Sequence, residues 1–213
     1  MSESLIKLNG IIKFEKTDDI ILDMKYIIDS SQKSAYQAIN VALVSRNWLI
    51  GYRIAEEILN GEDRAEYGSK VIKNLSKELT KLYGKGYTKT NLYNFYLFYK
   101  LYPKIFHSAS GKFESILSWT HYRILIQVKD KIARDWYEKE AMNESWSVRT
   151  LQRNISSQYY YRLLQTQKKS LVENEMKELT ADYQNDKLEF IKNPVVAEFL
   201  GLAQNTDFSE TRS

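Results

Sequence analysis

Between residues 18 and 59 apolar side chains recur at steps of three and four: Ile20, Ile21, Met24, Ile27, Ile28, Ala35, Ala38, Ile39, Ala42, Leu43, Leu49, Ile50 and Ile54. That period predicts a long helical region, opened by Asp18 or Asp19 as its cap. It outruns the usual length of a globular helix. Two forms satisfy it, a helical hairpin or one long helix that packs on a partner chain; an intrachain core helix is the plainer alternative. Gly51 and the Arg46-Asn47-Trp48 step are candidate bends.

After Gly61 the helical period resumes from Ser69 to Tyr83, with Val71, Ile72, Leu75, Leu79 and Leu82 on one face. Lys70, Lys73, Lys77 and Lys81 follow at steps of three, four and four. At about 100° per residue they form one narrow stripe. Gly84-Lys85-Gly86 reads as a turn, and Thr88 caps a second helix with Leu92, Phe95, Tyr96, Tyr99 and Tyr102 inward, stopped by Pro103. Helix, short Gly turn, helix is the helix-turn-helix order, in which the second helix enters the major groove. Lys89, Thr90, Tyr93 and Asn94 then point outward.

His107 to Phe113 reads as a polar loop. Ser118 caps a helix carrying Tyr122, Leu125 and Ile126. Asp130 caps another carrying Ile132, Ala133, Trp136 and Tyr137. Ser147 caps a third, with Val148, Leu151, Ile155, Tyr159 and Leu163 inward and Arg149, Arg153 and Arg162 outside. Residues 170 to 193 have the look of an acidic helix, 194 to 203 of a short apolar segment, and the rest of a frayed end.

Composition narrows the class. With 43% apolar and 27% charged residues the chain is an ordinary globular sequence. Two prolines and eight glycines in 213 residues argue against the frequent turns of a β fold. The expected class is all-α: an N-terminal helical hairpin or long helix, then a helix-turn-helix bundle. The sixteen tyrosines read first as interface packing, rings buried and hydroxyls wet. The N-terminus lacks an apolar leader and no stretch is long enough to span a bilayer, so a cytoplasmic protein without a membrane partner is expected.

The net charge of +4 hides an asymmetry. From Arg64 to Lys104 there are nine Lys/Arg against two acids; from Ser170 to Ser213 there are four against nine. The basic middle is the electrostatic footprint of a phosphate-binding face. Without cysteine, thiolate catalysis and Cys-ligated zinc are excluded. The two histidines, His107 and His121, make no metal-ligand pair, and no phosphate-binding glycine loop or nucleophile elbow occurs. Asp23-Met24-Lys25 and Glu175-Met176-Lys177 match an acid-x-Lys pattern in letters only, since both lie in helical surroundings. No cofactor or metal is implied.

Three blocks carry a family resemblance. The first is Gly86-Tyr87-Thr88-Lys89-Thr90-Asn91-Leu92 with YLFYKLYP from Tyr96 to Pro103. The second is Leu117-Ser118-Trp119-Thr120-His121-Tyr122. The third runs from Ala133 to Ala141 and closes with Trp146 to Arg153. Together they resemble the N-terminal domain of the bacterial YhcG family, over roughly residues 35 to 202. That family continues into a second domain resembling a PD-(D/E)xK nuclease. Asn193 to Leu202 is similar to the segment just before it, so the resemblance implies a catalytic domain absent from this chain. The layout is also similar to the DNA-binding part of ParB-type partition proteins. That likeness implies a recognition helix holding Thr88, Lys89, Thr90, Asn91 and Asn94. It also implies a Ser118–His121 helix and a helix opening Ser147-Val148-Arg149 and carrying Arg153. Tyr93, Phe95, Tyr96, Phe98 and Tyr99 crowd this recognition helix more than that layout does.

The resulting expectation has three regions: 1–62, helical and self-associating; 63–168, DNA-binding; 169–213, an acidic helix and linker toward the nuclease domain. Duplex DNA is the expected partner, met by Lys70, Lys73, Lys77, Lys81, Lys85, Thr88, Lys89, Thr90, Asn91, Asn94, His121, Arg149 and Arg153. A homo-oligomer is expected. The alternative is an interaction or dimerisation module that docks an acidic partner.

Overall fold

The computed structural model describes residues 6–8, 12–59, 64–106 and 117–183. Eight α-helices dominate them: α1 (Ile20–Leu59), α2 (Arg64–Tyr83), α3 (Lys89–Leu101), α4 (Trp119–Leu125), α5 (Lys131–Asn143), α6 (Val148–Ser156), α7 (Tyr159–Gln165) and α8 (Lys169–Thr180). The all-α expectation holds. One feature departs from it: β1 (Ile6–Leu8) pairs antiparallel with β2 (Ile12–Phe14), with Lys7 opposite Lys13. Three-residue strands leave too short an alternation to be legible in the sequence.

The chain forms two compact units, Met1–Ala42 and Leu43–Ser213, with the division falling inside α1. In the first unit Asp19 accepts hydrogen bonds from the amides of Ile21 (2.8 Å) and Leu22 (3.2 Å) and so caps α1. Asp23 turns back to accept from the hydroxyl (2.8 Å) and amide of Thr17. Ile20, Ile21, Met24 and Ile28, periodic in the sequence, are exposed.

The core of the second unit follows helical spacing. Leu92, Phe95 and Phe98 of α3 are buried with Tyr102 against Trp119, Tyr122 and Leu125 of α4. Phe98 lies 4.9 Å from Tyr122 and 5.5 Å from Trp119 between ring centroids. Ala133, Tyr137 and Ala141 form the buried stripe of α5, one residue per turn. Tyr137 satisfies its hydroxyl twice, donating to the Asn154 carbonyl (3.2 Å) and accepting from the Tyr160 amide (3.1 Å). The C-terminal part of α1 joins this core through Leu43, Val44, Trp48, Ile54 and Ala55, and the Trp48 indole donates to the Tyr102 carbonyl at 2.9 Å.

The caps read from the sequence are in place. Thr88, Ser118, Asp130 and Ser147 each accept from an amide in the first turn of the next helix. Of the two forms open to the N-terminal region, the single long helix is the one adopted. Four other readings need correction. Gly51 serves close packing instead of a bend. Leu82 and Ile132, expected inward, are exposed, Ile132 by 69%. The helix opened by Ser147 does not run on to Leu163: Gln158, at φ 55°, breaks it between α6 and α7. The acidic helix ends at Thr180, followed by a 3₁₀ turn at Ala181–Tyr183. The expected loop at 107–113 and apolar segment at 194–203 lie outside the described residues.

Candidate nucleic-acid interface

A short turn joins α2 to α3, and it is tightly specified. Gly84 sits at φ 91°, where a side chain is strained, and its amide closes α2 on the Thr80 carbonyl at 3.0 Å. A 3₁₀ turn, Lys85–Tyr87, leads to the Thr88 cap. The Thr80 hydroxyl donates to the Tyr87 carbonyl (3.3 Å), and the Asn91 amide donates to the Gly86 carbonyl (3.0 Å). Arg46 of α1 donates to the Tyr87 hydroxyl at 3.3 Å and lies over its ring, 5.5 Å from the centroid. The turn is therefore held from three sides.

Lys70, Lys73, Lys77 and Lys81 are all exposed on α2, and Lys85 and Lys89 are exposed on the turn and at the start of α3. The stripe is not purely basic. Glu66 stands one turn before Lys70 and pairs with it at 2.7 Å, both side chains largely in solvent. An exposed pair of this kind contributes little, so it leaves the positive field of the remaining lysines in force.

The first turns of α3 sort the expected base readers. Lys89, Thr90 and Tyr93 are exposed. Asn94 is not: it is 8% exposed, on the same face as Leu92, Phe95 and Phe98. Its expected place on the outer face is corrected, because a helix whose apolar face is this wide carries position 94 inward. Asn91 and Thr88 are committed to the turn and the cap. Beside Lys89, Thr90, Tyr93 and Tyr96, across from Ser69 and Ile72 of α2, is an open hollow of about 530 Å³. The aromatic crowding seen in the sequence in part lines this hollow, and only the pairing of α2 with α3 reveals it.

His121 has a structural environment instead of an outward one. Its Nε2 donates to the Trp146 carbonyl at 3.0 Å, and its Nδ1 faces the Ser118 hydroxyl at 2.6 Å. A carbonyl can only accept, so Nε2 carries the proton and Nδ1 takes the one from Ser118. Burial pushes the imidazole pKa below its ordinary value, opposed by the Trp146 carbonyl. His121 thus ties the start of α4 to the α5–α6 connection.

Arg149 and Arg153 are exposed on α6, beside Gln152 and Ser156. α6 packs with α4, α5, α7 and α8, so these arginines stand on a different element from the lysine stripe. The bundle also holds charged groups that no sequence motif signals. Glu138 is pushed up to about 7, first by burial, with the neighbouring Tyr122 hydroxyl opposing the shift, the Asp135 charge raising it further and Arg134 lowering it. Arg134, itself buried, donates to the Val128 carbonyl at 2.8 Å.

Among the described residues no group of three or more His, Cys, Asp or Glu side chains could hold a metal ion. Nor, among them, is any helix long and apolar enough to cross a membrane. No solved structure matches the chain. A protein of Escherichia coli strain K12 named "Putative nuclease YhcG" is 31% identical over 215 residues, covering 87% of this chain. The chain spans 57% of that relative's length. The model of the DUF1016 N-terminal domain matches residues 23–162, from within α1 into α7, and so takes in the α2–turn–α3 segment, the His121 tie and the α5–α6 connection. This chain therefore belongs to the DUF1016 N-terminal domain family.

Proposed function

We propose that the chain is the DNA-targeting module of a two-domain nuclease. The observation that carries this reading is the exposure of six lysines, Lys70, Lys73, Lys77, Lys81, Lys85 and Lys89, along α2 and into α3, with Glu66 the acid paired to them. Phosphate neutralisation by this stripe supplies most of the affinity. Lys89, Thr90 and Tyr93 are the side chains of α3 free to meet bases. Arg149 and Arg153 form a second, separate basic contact. The nuclease part rests on the printed name of the relative, whose remaining length would hold the catalytic domain. The test is binding to duplex DNA across a salt series. Each phosphate contact adds about −0.9 to the slope of log K against log salt, so Lys73→Ala with Lys77→Ala flattens the slope by about one to two units. An affinity indifferent to salt overturns the reading.

A second reading, self-association through α1, is favoured by the exposed Ile20, Ile21, Leu22, Met24 and Ile28. A run of this kind is unusual on a free surface. The two readings are compatible, since two-fold proteins present paired helix-turn-helix units to DNA.

A further inference from the structure

Between α5, α6, α7 and α8 lies a cavity of about 540 Å³ that takes no part in the DNA reading. Its wall contains four rings, of which Trp136, Trp146 and Tyr159 have centroids 5.5 to 6.3 Å apart. Trp136 stands nearly perpendicular to Tyr159, at 79°, and at 66° to Trp146. Three carboxylates, Glu140, Glu144 and Glu173, come from α5, the turn after it and α8. They converge: the Tyr159 phenol is pushed up to about 12 by burial and then by Glu173, Glu140 and Glu144, against Arg162. Burial and the repulsion of Glu144 and Glu173 likewise raise Glu140, against Lys139.

Asn154 supplies an independent sign. It lines the same cavity, is 2% exposed, and its Oδ1 has no hydrogen-bond partner. A buried acceptor without a donor is costly and calls for explanation. Carboxylates, an unpartnered amide oxygen and ring faces share one preference. They attract a cation that carries N–H donors. Lys169 and Lys177 also line the cavity and oppose such a ligand, without outnumbering the acids.

We infer that this cavity binds an organic ammonium group, with its charge set against Glu140, Glu144 and Glu173, its methylenes on Trp136 and Trp146, and an N–H on Asn154 Oδ1. The cavity lies within the size range of small-molecule sites. The ammonium belongs either to a free di- or polyamine or to the lysine side chain of a peptide.

The experiment titrates the full chain, without DNA, with putrescine, spermidine and an N-acetyl-lysine amide at constant ionic strength. Tryptophan fluorescence and calorimetry are the readouts, and magnesium chloride is the charge control. Saturable binding of an amine is expected, about tenfold weaker in Glu140→Gln and in Glu173→Gln, and stronger in Lys177→Ala. Tighter binding of spermidine identifies a free amine, and tighter binding of the lysine amide a peptide. The glutamate variants are nearly isosteric, and circular dichroism verifies their fold. They carry the test even if Trp146→Ala unfolds. No saturable response to any amine, an equal response to magnesium, or full affinity in both glutamate variants overturns the inference.

Discussion

Gly51 of α1 faces the Phe95 carbonyl of α3 so closely that a Cβ on Gly51 would lie 2.0 Å from that oxygen and 3.1 Å from the Tyr99 Cβ. The obstruction is backbone, which cannot swing aside. In an exposed helix Gly→Ala gains about 1 kcal/mol of helix propensity. Here the sign reverses: Gly51→Ala must push α1 away from α3 and costs about 3 kcal/mol. Gly68 makes the control. Its added Cβ meets only the Ile58 side chain, at 3.1 Å, so Gly68→Ala is expected to be far milder. Urea unfolding of the two variants checks the contrast, and equal stabilities refute the close-approach argument.

Glu138 gives stability a pH signature. Its carboxyl titrates near 4.5 when unfolded and is pushed up to about 7 in the fold. Between those values the native state keeps a proton that the unfolded state has released. The contribution is complete below the unfolded value and is lost as pH rises through the folded one. Glu138→Gln should therefore stabilise the protein at about pH 8, by about 1–3 kcal/mol, and add little at about pH 4. His121 acts in the opposite sense. Its lowered pKa means that acid below the ordinary imidazole value protonates the unfolded chain first, so its share is lost as pH falls. Melting temperatures of the wild type and Glu138→Gln across this range separate the two, and parallel curves refute the assignment.

The sequence and the structure agree where a signal is local. Thr88, Ser118, Asp130 and Ser147 announced helix starts because a cap is a short-range hydrogen bond to the next turn. The lysine stripe was legible because helical spacing alone puts those side chains on one face. Asn94 was not. Its inward placement depends on how far α4 and α1 wrap around α3, which periodicity within α3 does not report. The structural tie of His121 is illegible for the same reason, since its second partner, Trp146, is 25 residues away. The ammonium cavity needs four helices in place, which no local pattern in the sequence reports.

The self-association proposed for α1 has a specific candidate site. Ile21 is 61% and Ile28 55% exposed, and they stand seven residues apart on one side of α1. Seven residues is nearly two helical turns, the repeat by which paired helices interlock. Ile21→Glu with Ile28→Glu should convert the assembly to monomer, with helical content retained because both positions are solvent-facing in the single chain. Sedimentation equilibrium reads the outcome. A wild type that stays strictly monomeric at high micromolar concentration removes the basis of the proposal.

Reading of bases can be separated from attraction to charge by comparing two neighbours on α3. Thr90 is exposed in its first turn, while Asn94, one turn on, is buried. Neither is charged, so neither substitution should alter the salt slope. If α3 reads base edges, Thr90→Ala weakens binding to a selected sequence and spares scrambled DNA, within the range of about 1–3 kcal/mol for a good base contact. Asn94→Ala behaves differently. Its side chain is inside, so the loss falls on stability and appears in unfolding curves, and any loss of affinity is equal on both DNAs. Tyr93, exposed beside the hollow with Tyr96, offers a third mode, a ring face for an unstacked base, which needs no sequence preference. Selection from random duplexes, followed by affinities of Thr90→Ala, Asn94→Ala and Tyr93→Ala on selected, scrambled and single-stranded DNA, distinguishes them. A selective loss in Asn94→Ala would mean that α3 turns this residue outward on DNA, against the packing of Leu92, Phe95 and Phe98. Uniform affinities in all three variants would mean that α3 meets the phosphate backbone alone.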